Sequence, residues 1–385
     1  MRRYNYTWVA VVWVLMGMSI VVPAIGSDPA PGMVRQTPPR QAPSSIQDRL
    51  QRVQQGVFAG TAAPERAIRE LKAILAIEPR SAEAHMLLGI AYRSAGSPEM
   101  MGEAVAELRQ ALALDPRFVP AHFYLAHIYL DLGRAERARE ELQTGLTQSP
   151  GSPQFMALLG EAERQLKNPG RSVELNQQAL KLDASSAESR YYLALALFDL
   201  GKRDEAIAEL ERVTQTNPHV VDPYLSLGTA YIEAGRFDAA LNVLQQAARI
   251  DASRPEIHIQ MARAYRSKGL LDSAEAQLKL AQPKGTALAA SMFQHQQIEF
   301  DLVLEQGLVK MGRGQLEAAA AAFRKVLEMD PNHGPTNRYL AEVYLLQGSY
   351  VRAAEHAARA EKAGSPLPDD KRKALEKHRK DGGRE

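Results

Sequence analysis

A phrase that recurs every 34 residues constrains this chain more than any other feature. Pro116, Pro150, Ala184, Pro218 and Ala252 each close a similar phrase, reading LDP, QSP, LDA, TNP and IDA. Residues 221–254 show one whole repeat. Leu227, Gly228 and Tyr231 share a helical face, Gly235 interrupts it, and Ala240, Leu244 and Ala247 resume it. Apolar residues at i, i+3, i+4 and i+7 specify an amphipathic helix. The isolated Gly235, followed by Arg236 and Phe237, reads as a tight turn between two such helices. Asp222 and Pro223 offer the first helix an N-cap and a first-position proline. Small residues at 228, 240 and 247 let the two backbones approach where a larger side chain would overpack.

A helix-turn-helix repeated at this period resembles the tetratricopeptide repeat family. The family's Leu-Gly, Tyr, Gly, Ala, Leu and Ala positions match residues 227, 228, 231, 235, 240, 244 and 247, and Ala252 stands where the family prefers proline. The resemblance implies an all-α fold, a right-handed α-solenoid of stacked helix-turn-helix repeats. About nine repeats fit between residues 48 and 367, seven of them good matches. Repeat 48–81 lacks the Leu-Gly pair and reads as a capping repeat, since solenoid ends need a polar outer face. Repeat 82–118 carries three extra residues, expected in its turn around Ser97-Pro98-Glu99. Repeat 153–186 has Lys167 at its turn. After Pro283-Lys284-Gly285 the phase breaks, and a segment without breakers predicts an overlong first helix from about Ala287 to Met311, its inserted turns near 287–299 projecting from the stack. The tail 368–385 is charged, with a short polar helix expected over Asp370–Arg379 as a solubilising cap.

The length of 385 residues would suggest two or three globular domains, but a solenoid grows by adding repeats to one continuous core. At the N-terminus, Arg2 and Arg3 precede an apolar run from Trp8 to Val22, then Pro23-Ala24-Ile25-Gly26. Residues 1–26 therefore read as a secretory signal peptide cleaved before Ser27 or, alternatively, as an uncleaved membrane anchor. Either way the repeats are expected outside the cytoplasm, periplasmic or secreted, with membrane contact only if that segment stays. Residues 27–47 are rich in proline and read as a linker. Apart from Arg2 and Arg3 the chain balances 45 basic against 45 acidic residues, with no basic stripe that would advertise nucleic acid. The absence of cysteine excludes disulfides and cysteine-ligated zinc.

No catalytic frame stands out. The sequence has no nucleophile elbow, no P-loop and no glycine-rich dinucleotide fingerprint. His85, His122 and His258 occupy the fourth position of their repeats and read as packing residues. His295 and Glu299 are four apart, which alone is a weak metal signal. We therefore expect no metal, no cofactor and no enzyme activity. Binding is the better reading. In the resembling family, positions 2, 5, 9 and 12 of each first helix line a concave groove. Carried across, these give Met86, Phe123, His127, Leu130, Tyr191, Leu195, Phe198, Leu225, Ile232 and Ile259 as an apolar, partly aromatic strip for a protein or peptide partner. The lysine-asparagine pattern of the family's carboxylate clamp is absent. The competing reading has these residues packing between repeats, as apolar helix residues usually do. A second functional reading makes the chain a membrane-anchored regulatory or recruiting subunit of an envelope enzyme complex.

Overall fold

The computed structural model describes residues 45–60, 63–282 and 292–380, all of it helix and short connections. Internal contacts divide the chain into two compact units, Met1–Val220 and Val221–Glu385. The division falls on a repeat boundary. The signal or anchor segment and most of the proline-rich linker lie outside the described residues. Among those described, no helix is long and apolar enough to cross a membrane.

The first unit holds five helix pairs. These are α1 (Ile46–Phe58) with α2 (Pro64–Leu75), α3 (Ala82–Ala95) with α4 (Pro98–Leu114), α5 (Val119–Asp131) with α6 (Ala135–Gln148), α7 (Pro153–Gln165) with α8 (Pro169–Leu182), and α9 (Ala187–Asp199) with α10 (Arg203–Thr216). The chain leaves the linker at Ser45, which forms a reciprocal capping box with Asp48, so α1 starts ahead of the expected boundary. The three extra residues of the second repeat do not swell its turn. They lengthen α4 to 17 residues, against 14 in α6. Ser97 caps Met100 and Pro98 takes the first helical position, which together start the helix early.

The second unit holds α11 (Val221–Glu233) with α12 (Phe237–Ile250), α13 (Pro255–Ser267) with α14 (Leu271–Leu280), α15 (Met292–Gly312) with α16 (Leu316–Met329), α17 (Gly334–Leu346) with α18 (Tyr350–Lys362), and a last helix, α19 (Asp369–Lys380). α11 begins at Val221, so Pro223 is its third residue rather than its first. α15 runs 21 residues where α13 runs 13, as the unbroken sequence predicts, although residues 287–291 lie outside the described part. The end of the inserted segment packs back on the repeats. Ile298 packs on the cluster of Ile259, Ala262 and Val309, and Glu299 pairs with Lys325 at 2.7 Å. α19 is also more than a solvated tail. Leu367 and Leu375 are buried against the cluster containing Leu340 and Tyr344, the His378 ring stacks on Tyr350 at 4.0 Å, and Lys371 pairs with Glu342.

Two devices recur through both units. The first is the turn. Gly235 sits at φ 72°, a left-handed conformation that costs glycine little. Lys167, the weak turn by sequence, adopts φ 66° and is the one described non-glycine residue with positive φ. The close approach of paired helices is the other half of the pattern. A Cβ on Gly228 would lie 2.7 Å from Leu244 Cδ2, so the Leu-Gly pair marks where α11 and α12 touch.

The second device corrects the reading of the fourth-position histidines as mere packing. Nδ1 of His85 donates to Glu107 at 2.6 Å and Nδ1 of His122 to Glu141 at 2.6 Å, while Arg190 donates to Glu209 at 2.7 Å. In the second unit His258 pairs with Gln277 at 2.8 Å, and His356 donates to Asn337 at 2.9 Å. Four of these fourth-position side chains also donate to a carbonyl six residues upstream, at Pro79, Ala184, Ala252 and Pro331. Those carbonyls belong to the phrases that mark the period. Five repeats are thus clasped internally, and four of them are tied to the end of the preceding one, satisfying a carbonyl that a chain turning between helices would otherwise leave to water.

Candidate functional site

The first-helix face of the first unit is the strongest candidate. It draws on α3, α5, α7 and α9, and the expected strip divides there by depth. Met86 is fully buried, and Phe123 and Leu130 are buried with it. Phe123 sits 5.3 Å from the Phe155 ring of the next first helix and edge-on to Tyr124 at 5.6 Å. In the second unit Leu225 and Ile259 are buried as well. These five residues are corrected from groove lining to packing. The physical reason is the same for the fifth-position members: successive first helices pack directly on one another, and a side chain there fills the seam between them.

His127, Tyr191, Leu195, Phe198 and Ile232 stay half-buried. Four of them belong to the first unit. Phe198 leans on the small cluster of Leu193, Leu197 and Ala206. The His127 ring meets Phe123 edge-on at 4.7 Å. Tyr191 and Tyr192 lie 5.8 Å apart on α9.

Charged groups thread between these rings. Arg93 of α3 donates to Asp131 of α5 at 2.7 Å. Arg164 of α7 donates to Glu161 at 2.7 and 2.9 Å and to Asp199 of α9 at 2.9 Å. Twelfth-position arginines thereby bridge to thirteenth-position aspartates on neighbouring first helices. Burial and the nearby Arg93 charge push the His127 imidazole well below its ordinary value, so it is neutral at pH 7. Burial pushes the Glu188 carboxyl up to about 7, with Arg93 and a hydrogen bond from Tyr192 only partly opposing it. Burial and the Glu188 charge push the Tyr192 hydroxyl well above its usual range. Arg93 of α3 thus acts on Glu188 of α9, three first helices further along the same face. Glu188 nevertheless keeps part of its surface open to water.

Neither Glu188 nor Tyr192 stands out in the sequence. An acidic residue in the first turn of a helix is ordinary, because it complements the helix dipole. Glu188 becomes unusual only once the fold buries it beside Tyr192 and within reach of Arg93. A carboxylate held at this cost makes the surface around it a candidate functional surface. The shift also fixes a pH dependence. The folded value of about 7 lies above the ordinary 4.5, so the folded state holds a proton that the unfolded state releases. That contribution to stability is complete below about pH 4.5 and fades as pH rises through 7. Glu188→Gln, neutral throughout, should match the parent near pH 5 and be more stable near pH 8 by about 1 kcal/mol, once partial contact with water is discounted. Thermal melts at both pH values check this, and a loss of stability near pH 8 would contradict it.

The second unit uses its first-helix face differently. Glu305 of α15 is 2% exposed and accepts from Arg263 and Arg266 of α13 at 2.8 Å each. Burial raises the carboxyl of Asp301, one turn earlier. Of the pair flagged by sequence, Glu299 bonds Lys325 at 2.7 Å, and the His295 side chain lies outside what the structure describes. Among the described residues no group of three or more histidines and carboxylates is placed to hold a metal.

Known proteins match this arrangement. A family profile described as "Tetratricopeptide repeat" matches residues 115–284, and a second with the same description matches residues 63–99 and 304–368. "Tetratricopeptide repeat protein 8" of Caenorhabditis elegans is 23% identical over 196 residues, which is 51% of this chain and 37% of that protein. Among solved structures, the APC/C hetero-tetramer Cut9-Hcn1 superposes with a TM-score of 0.65 at 15% identity, over 81% of this chain and 58% of the other. The human IFIT1 dimer with PPP-AAAA gives 0.55 at 18% identity, over 84% of this chain and 73% of the other. The chain therefore spans well under two thirds of the curated relative and of Cut9-Hcn1. At these identities the two structures show a shared fold, an all-α repeat solenoid, and nothing finer.

Proposed function

The chain belongs to the tetratricopeptide repeat family, and we propose that it is a non-enzymatic interaction scaffold that holds a partner protein or an extended peptide on the first-helix face of its first unit. One observation carries the reading. Tyr191, Leu195 and Phe198 remain half-buried on that face beside His127 and the Arg164–Asp199 bridge, where a helix surface without a task would be polar throughout. Rigid aromatic and apolar groups set among fixed charges are what a partner's side chains can dock against. A helix-lined groove that accepts a peptide is a recurrent recognition mode.

Phe123→Arg would test folding rather than binding, because Phe123 is core. Leu195→Arg tests binding, since Leu195 is half-open on this face. Crosslinking and affinity capture with the tagged full chain should lose its dominant partner in this variant while the melting temperature holds within a few degrees. Undiminished capture would move the site off this face.

We further propose that the scaffold works outside the cytoplasm. Support comes from the residues themselves: Arg2 and Arg3, the apolar run from Trp8 to Val22, and the small-residue site before Ser27. The alternative, a membrane-anchored recruiting subunit of an envelope enzyme complex, requires that segment to remain. N-terminal sequencing of the protein from its own cells decides between them, because a start at Ser27 removes the anchor.

A further inference from the structure

Resting on the reading of this face as a peptide groove, we propose that the occupant of the first unit is an extended peptide segment bearing lysine or arginine, with one cationic side chain seated beside Glu188 against Tyr191 and Tyr192. The argument is one of charge already committed and charge left over. Across α3, α5, α7 and α9, the inner positions 2, 5, 6, 9, 12 and 13 carry five carboxylates, Glu83, Asp131, Glu161, Glu188 and Asp199, against two arginines, Arg93 and Arg164. Both arginines are taken. Arg93 holds Asp131, and Arg164 is shared between Glu161 and Asp199. An anionic ligand could recruit either one only by breaking its present bond, and it would meet surplus negative charge on the way in.

Glu83 and Glu188 are the surplus. Among the described residues no ion pair reaches either carboxylate, and burial raises the proton affinity of both. A ligand cation beside Glu188 would supply the direct ion pair that Arg93, bonded to Asp131, does not make. The surroundings suit a long cationic side chain. Tyr192 lies close enough to Glu188 to favour its charged form, the paired rings of Tyr191 and Tyr192 form a wall, and Leu195 lies one helical turn further along. Lysine and arginine bury their methylene stems on such apolar surface while presenting the charge at the tip. An ammonium or guanidinium group near a tyrosine face gains a further attraction. A neutral peptide could use the wall but would leave Glu188 uncompensated.

The test uses the full chain and three labelled extended peptides of one apolar framework, carrying lysine, serine or glutamate at the same alternating positions. Fluorescence anisotropy should show the lysine peptide binding at least about tenfold tighter than the serine peptide, the glutamate peptide weakest, and the lysine preference shrinking with added salt. Glu188→Gln should erase most of that preference, and Glu188→Lys should reverse it, with melting curves confirming that both variants fold. Affinity for the lysine peptide should also rise as pH passes upward through about 7, where Glu188 ionises. Of the other groups around this site, His127 stays neutral, Tyr192 stays protonated, and Arg93, Asp131, Glu161 and Arg164 are held in ion pairs, so Glu188 is the group that changes. Equal binding of the lysine and serine peptides, or a preference unmoved by Glu188→Gln, overturns the cationic occupant and leaves the groove itself standing. Failure of all three peptides to bind overturns the groove reading and this proposal together.

Discussion

Ala240→Arg should lower the unfolding free energy of this protein by about 4 kcal/mol, one of the two largest losses expected of the substitutions considered. Ala240 has no exposed surface, and its face on α12 continues through Leu244 and Ala247, which are equally closed. The facing helix leaves no slack, since even a methyl on Gly228 would fall 2.7 Å from Leu244 Cδ2. An arginine there combines overpacking with a guanidinium that finds neither water nor a carboxylate. Each mechanism alone costs about 1–3 kcal/mol, and they act at one site. Arg236, exposed in the adjoining turn, is the control, and changing it should stay within about 0.5 kcal/mol. Urea denaturation measures both. Because two compact units can unfold separately, the transition should be followed by more than one probe. A midpoint for Ala240→Arg equal to the parent's would contradict the repeat packing itself.

The double change Arg263→Ala, Arg266→Ala should cost about 3–4 kcal/mol. Glu305 is 2% exposed, and these two arginines are the cations bonded to it. Removing both strands a buried carboxylate, and breaking a buried ion pair from one side costs about 3–5 kcal/mol because the remaining charge is uncompensated. Either single change should cost markedly less, since the other arginine still reaches the carboxylate. Adding Glu305→Met to the double variant should recover most of the loss, because an apolar replacement of the whole triad removes the unpaired charge along with its partners. If the triple variant is no more stable than the double, the loss lies in arginine packing instead of in the stranded charge.

The sequence makes the helix pairs, their turns and their closest contacts legible because those depend on local chemistry with a fixed period. Gly228 and Leu244, or Gly235 and its left-handed turn, can be read from one repeat alone. Even Lys167, the poorest turn residue by type, follows its neighbours into the same conformation, because the helices on either side leave the chain no other way round. Where local chemistry favours a different solution the expectation fails. Ser97 and Pro98 start a helix, so extra residues that were expected to widen a turn lengthen α4 instead.

The site is less legible, for a geometric reason. Periodicity gives the direction in which a side chain leaves its helix, and not how near the next helix stands along that direction. Phe123 and Leu195 both lie on the first-helix face by count, yet Phe155 closes over one while the other stays half-open. Glu188 is further out of reach, since its surroundings include the Arg93 charge, 95 positions earlier in the chain. The polar clasps fall between these cases. Glu141, Glu209 and Gln277 each stand nineteen residues after a fourth-position side chain, a period that an apolar template passes over.

The most direct test of the scaffold reading is site-specific photo-crosslinking of the full chain in its own cells. One photoreactive residue replaces Leu195 on the first-helix face, and another replaces Gln178, exposed on α8 of the neighbouring pair. The first-helix groove predicts one dominant adduct from the Leu195 position and none of it from Gln178. The same adduct from both positions, or from Gln178 alone, would place the partner outside the groove.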